Sequence, residues 1–154
     1  DRIIRIGTCG TSNTNINLLD TILVSETYTE SNYAFMFSKE HVNLERPSKI
    51  LNQKLLTTAK DKNIKLIEGT VMTCDVFDPY VDWQAINSRI PKDLNVIATE
   101  MESFALFHIA RILNKESACI LTVVDSKCRS DLISSEDREK SLTNMIEIAL
   151  NTNY

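Results

Sequence analysis

Ala118-Cys119-Ile120-Leu121-Thr122-Val123-Val124, followed by Asp125-Ser126, is the stretch that decides the fold. It is an uninterrupted apolar and β-branched run with no charge until Asp125. A strand with one wet face alternates apolar and polar side chains; a run like this suits a central strand covered on both faces. Helical patterns flank it. Upstream, Glu102 to Asn114 places Phe104, Phe107, His108 and Arg111 at helical spacings. Downstream, a helix is expected from about Glu136 to Asn151, with Ser134 and Asp137 as a capping-box-like start and Leu142, Met145, Ile146 and Ala149 as its apolar face.

Further from this centre the alternation continues. Asn95 to Thr99 and Lys65 to Thr73 read as strands, separated by an irregular stretch with Pro79, Pro91 and a short helix around Trp83 to Ser88. Ser48 caps a helix from about Lys49 to Lys62, whose Leu51, Leu55 and Ala59 are spaced four apart on one face. Residues 27–46 read as loop, Leu18 to Glu26 as a strand, and Thr11 to Asn17 as loop. Residues 2–7 read as a buried central strand, with Ile3 to Ile6 at its heart, ended by Gly7-Thr8-Cys9-Gly10. Strands alternating with helices define the α/β class, and without repeats or linkers residues 1–154 read as a single domain.

Composition narrows the function. The 154 residues are 43% hydrophobic and 25% charged, as in a soluble globular protein, and the net charge of −4 argues against a nucleic-acid footprint. No apolar run approaches a membrane span, and no signal peptide is recognisable. Cys9, Cys74, Cys119 and Cys128 lack C-x-x-C spacing and a nearby His, so no metal is expected; reduced thiols and a cytoplasmic setting are. Three glycines are few for an α/β enzyme, and Asp1-Arg2 leads straight into an apolar run, so a preceding segment is expected.

Four constellations can carry chemistry. In Arg5-Ile6-Gly7-Thr8-Cys9-Gly10, small residues let backbone amides approach an anion, Thr8 offers a hydroxyl, and Arg5 offers a permanently charged fork of donors suited to phosphate. In Thr99-Glu100-Met101-Glu102, carboxylates accept from paired hydroxyls such as those of ribose, and Met packs on the sugar's apolar face. Asp125 ends a buried strand, where ligands bind in open α/β sheets, and apolar surroundings would let it hold a proton. Arg138 follows one turn into the last helix. Each has an ordinary alternative: a strand-ending turn, acids favoured by a helix dipole, a capping Asp, a surface arginine.

Together and in this order the pieces resemble the bacterial, hexameric type of purine nucleoside phosphorylase. The matching motifs are Arg5 to Gly10; Gly69-Thr70-Val71-Met72-Thr73-Cys74-Asp75-Val76-Phe77; Glu100-Met101-Glu102 followed by a helix; Leu121-Thr122-Val123-Val124-Asp125; and Ser134 to Arg138 with the Asn144 to Leu150 helix. The resemblance covers nearly the whole chain. It implies a three-layer α/β/α fold around a central mixed sheet, with the first strands of the domain missing. It implies phosphorolysis of purine ribo- or deoxyribonucleosides in purine salvage, with inorganic phosphate as co-substrate and no cofactor. The roles implied are phosphate binding by Arg5 and Thr8, base packing by Phe77, and ribose binding by Met101 and Glu102 with Glu100 close by. Asp125 protonates N7 of the purine, and Arg138 hydrogen-bonds to that Asp. A homo-oligomer, a hexamer built as a trimer of dimers, is implied, with neither nucleic acid nor membrane as partner.

The sequence also departs from the family pattern: Ser126 stands where His is common, Val124 replaces a Ser, and residues 78–99 read as longer than usual with Trp83 in the insert. A uridine phosphorylase would read its base with Gln-x-Arg, which is absent; a hydrolytic nucleosidase needs no phosphate arginine; a non-catalytic fragment would follow from missing strands. Taken alone, the 154 residues are expected to be inactive.

Overall fold

A computed structural model describes residues 1–128, 133–137 and 142–154. The strands are β1 (Arg2–Thr11), β2 (Thr21–Thr29), β3 (Leu44–Glu45), β4 (Leu66–Thr73), β5 (Val96–Glu100) and β6 (Glu116–Ser126). The helices are α1 (Tyr33–Ser38), α2 (Lys49–Asp61), α3 (Trp83–Asn87), α4 (Ser103–Ile112) and α5 (Thr143–Asn151), with a 3-10 turn at Asp78–Tyr80. The strand order is β3-β2-β4-β5-β1-β6, and β2 also pairs with β6, so the mixed sheet curls until its two sides meet.

Alternation along the strands decides which helices cover which face. Leu23, Ala118 and Ile120 pack with Leu51, Leu55 and Ala59 of α2 and with Met145 and Ile148 of α5. Their neighbours Ile22, Cys119, Leu121 and Val123 point the other way, into a cluster that takes Phe107 of α4. The expected mixed sheet between helical layers is thus present, with β6 buried from Ser117 to Val123. Ser48 caps α2 as expected, its Oγ accepting from the Leu51 amide at 3.2 Å. Ser134 Oγ accepts from the Asp137 amide, the first half of the expected capping box, and its hydroxyl donates to the Asp137 carboxylate. The remainder of the expected Glu136–Asn151 helix up to residue 141 lies partly outside the described residues; in α5 the inward face uses Met145 and Ile148, while Ile146 is exposed.

Three expectations change. Residues 27–46 are not all loop: β2 runs on to Thr29, α1 follows, and β3 pairs Glu45 with Thr27. Gly7-Thr8-Cys9-Gly10 does not end β1, which continues to Thr11 beside β6 with a bulge between Cys9 and Gly10. None of the three glycines has positive φ, so no glycine turn forms there. Ile3 to Ile6 is not a buried central segment: it pairs with β6 on one side, while β5 meets β1 only at Gly10, and Ile3 and Ile6 are 55% and 41% exposed.

Candidate active site

β1, β5 and β6 end side by side, and their ends carry the chemistry. A cavity of about 180 Å³ there is lined by Arg5, Thr8, Gly10, Phe77, Asp78 and Thr99, by Glu100 to Glu102, and by Asp125. All the site residues expected from the sequence therefore line one space, except Arg138, which lies outside the described residues.

The two glycines of β1 clear paths for side chains rather than backbone. A Cβ on Gly7 would stand 2.5 Å from Arg5 Nη1, so the guanidinium lies flat across the bare glycine. From there Arg5 contacts the Glu102 carboxylate, comes within 3.8 Å of Glu100 and donates to Cys119 Sγ at 3.7 Å. Burial works against its charge, but the Cys119 sulfur and the Glu100 and Glu102 carboxylates outweigh it and hold the guanidinium above its ordinary pKa. A Cβ on Gly10 would stand 2.4 Å from Asp125 Oδ1 and 3.3 Å from Asp78 Oδ2. Two carboxylates thus converge over this one glycine.

The two glutamates of Glu100-Met101-Glu102 do different work. Glu100 is buried and accepts from the Ser103 amide and hydroxyl, the Glu102 amide, and Thr73 Oγ1. It satisfies the open amides at the start of α4. Glu102 is exposed at the N-cap of α4 and faces Arg5; Met101 is 41% exposed on the same wall. Phe77 is 58% exposed at the cavity mouth, its ring 6.3 Å edge-on from Tyr80. Asp125 is exposed at the end of β6, so the apolar surroundings expected for it are not provided by the described residues.

Sequence reasoning missed three neighbours. Asp78 accepts from Thr99 Oγ1 at 2.7 Å and pairs with Lys127 Nζ at 3.1 Å. Lys127 in turn sits 3.2 Å from the centre of the Trp83 ring. The available signals were Asp78 following Phe77 directly and Lys127 standing two residues after Asp125. Outside the site, Glu40, Glu45 and His108 offer ligand atoms within 4.8 Å of one another. Arg111 occupies both carboxylates, and His108 Nε2 bonds Ser38 Oγ, so the set is already engaged.

This α/β chain matches the Phosphorylase superfamily over residues 1–151. The chain belongs to that family. The DeoD-type purine nucleoside phosphorylase of Mycoplasma genitalium is 36% identical over 157 residues, covering 97% of this chain and 63% of the relative. The DeoD-type purine nucleoside phosphorylase of Buchnera aphidicola is 32% identical over 151 residues, covering 98% and 63%. That of Oceanobacillus iheyensis is 33% identical over 156 residues, again 98% and 63%. The chain spans somewhat under two thirds of the length of these relatives.

Proposed function

We propose that the complete protein cleaves purine nucleosides by phosphorolysis, giving the free base and ribose or deoxyribose 1-phosphate. The observation that carries this reading is the single cavity that gathers Arg5 and Thr8, Met101 and Glu102, Phe77 and Asp125. A cation and a hydroxyl suit a phosphate, a carboxylate and a thioether suit a ribose, and an aromatic ring with an acid suits a purine base.

Phosphate docks on the Arg5 guanidinium and the Thr8 hydroxyl. The dianion competes with Glu102 for Arg5, and Glu102, released, accepts from the ribose hydroxyls while Met101 packs on the sugar face. Glu100 keeps α4 and therefore Glu102 in place. Phe77 covers the base. Asp125 donates its proton to N7; the glycosidic C–N bond breaks with its electrons going to the purine; a phosphate oxygen then bonds to C1′ of the cationic sugar. Phosphate is the only co-reactant and no cofactor takes part. The working form is a cytoplasmic homo-oligomer, a hexamer, serving purine salvage without nucleic-acid or membrane partners. Among the described residues no helix is long and apolar enough to cross a membrane.

Release of base from inosine and adenosine is expected to require inorganic phosphate. Equal rates in phosphate-free buffer would replace phosphorolysis by hydrolysis, and faster cleavage of uridine would point to a pyrimidine phosphorylase.

A further inference from the structure

Beside the nucleoside cavity lies a second one of about 510 Å³, lined by Trp83, Ser126 and Lys127 and sharing Phe77, Asp78 and Asp125 with the first. A base that stacks on Phe77 and meets Asp125 extends into this space. We propose that Lys127, seated on Trp83 and anchored by Asp78, determines base specificity and selects purines with an acceptor oxygen at C6. This rests on the phosphorolytic reading of the site.

Lys127 is held rather than free. Asp78 Oδ2 binds Nζ at 3.1 Å and is itself fixed by the Thr99 hydroxyl. The Trp83 ring carries the ammonium on its face, and its indole N–H donates to the Asp78 carbonyl at 3.1 Å, which sets the ring plane. The Lys127 amide donates to Thr11 O at 2.9 Å, continuing the β1–β6 pairing past Ser126. Lys127 lies in the turn that follows β6, and it and Asp125 both line this second cavity.

The edge of a purine that presents N7 also presents the C6 substituent. In a 6-oxopurine both atoms are acceptors; in a 6-aminopurine the second is a donor. An ammonium has three donors and no acceptor. Protonated Asp125 at N7 and Lys127 at the adjacent position therefore make a donor–donor pair that complements hypoxanthine and guanine and opposes the amino group of adenine. Because the cavity is open to water, the discrimination expected is about tenfold to a hundredfold, below the ratios of sealed hydrogen-bonding sites.

The test uses the complete protein with Lys127→Met, which removes the donors, and Lys127→Arg, which keeps them; thermal melting verifies that both fold. Binding of free hypoxanthine and adenine is measured by calorimetry, and kcat/KM for inosine and adenosine in phosphate. Wild type and Lys127→Arg are expected to favour the 6-oxo compounds in both measurements, and Lys127→Met to lower the 6-oxo to 6-amino ratio about tenfold or more. Equal affinities in the wild type, no binding of either base, or a ratio that Lys127→Met leaves unchanged would overturn the proposal even if phosphorolysis is observed. A Lys127-dependent preference for hypoxanthine without phosphate-dependent cleavage would overturn the phosphorolytic reading and leave the base selection standing.

Discussion

Gly10→Ala separates the function of this site from the stability of the fold. The added Cβ would stand 2.4 Å from Asp125 Oδ1 and 3.2 Å from its Cγ, whereas ordinary contact begins at 3.4 Å. The carboxylate must therefore retreat by about 1 Å, and a displacement of that size at a reacting group costs roughly 10²-fold, or about 2.7 kcal/mol of transition-state stabilisation. Asp125 is an exposed side chain at a strand end, so its retreat leaves the buried clusters untouched. The expected result in the complete protein is a fall of about a hundredfold in kcat/KM for inosine with an unfolding midpoint close to wild type. The assay is phosphorolysis followed through release of hypoxanthine, with denaturant unfolding of the same preparation. Turnover within threefold of wild type would refute the placement of Asp125 at the reacting base. A large loss of stability would instead show that Gly10 serves the fold.

Asp125→Asn is expected to slow natural purine nucleosides by ~10²–10⁴ while largely sparing nucleosides whose base leaves unaided, because only the former need the proton; equal losses in steady-state kinetics would make Asp125 a binding or structural residue. Phe107→Ala empties a core position 1% exposed and is expected to cost ~3–5 kcal/mol in denaturant unfolding; a loss below 1 kcal/mol would contradict its packing against β2 and β6. Among the four thiols described, Cys128 alone is exposed and should react first with a disulfide reagent at pH 8. Burial pushes Cys74 up to about 11 and Cys119 up to about 12, so at that pH only about one in 10³ and one in 10⁴ of them is thiolate. Their labelling should rise with pH or on unfolding, and mapping of modified peptides that found Cys119 labelled before Cys128 would reverse this order.

The elements that were legible in the sequence are those whose cause is local. Helix α2 announces itself through the Ser48 cap and the Leu51, Leu55, Ala59 face, and β6 through its unbroken apolar run. Strand β3 has no such signal: it is two residues long, and Glu45 is drawn into place by His108 and Arg111, more than sixty residues away. Helix α1 likewise lacks a side-chain cap. Gly7 and Gly10 mimic a turn because glycine usually bends the chain, yet here each makes room for a carboxylate or guanidinium reaching over the strand. The grouping of Arg5, Phe77, Glu102 and Asp125 follows from motif order, whereas Asp78, Trp83 and Lys127 meet only through the way the 3-10 turn and α3 fold back beside β6. No spacing in the sequence records that return.

The parallel pairing of β1 with β6 joins Arg2 to Glu116 and, past the bulge after Cys9, Gly10 to Asp125. During synthesis at roughly 5–20 residues per second, β1 waits about 6–23 seconds for the strand that completes its ladder. Closing a loop of this length costs about 4 kcal/mol from its length dependence alone, and contacts of such separation fold late. Ile3, Ile4 and Ile6 spend that interval without their ladder partner, and Arg5 has no Asp125 across the cavity until the final strand arrives. The cavity is therefore assembled last: a nascent chain stopped before Glu116 holds Arg5 and Glu102 but still lacks Asp125.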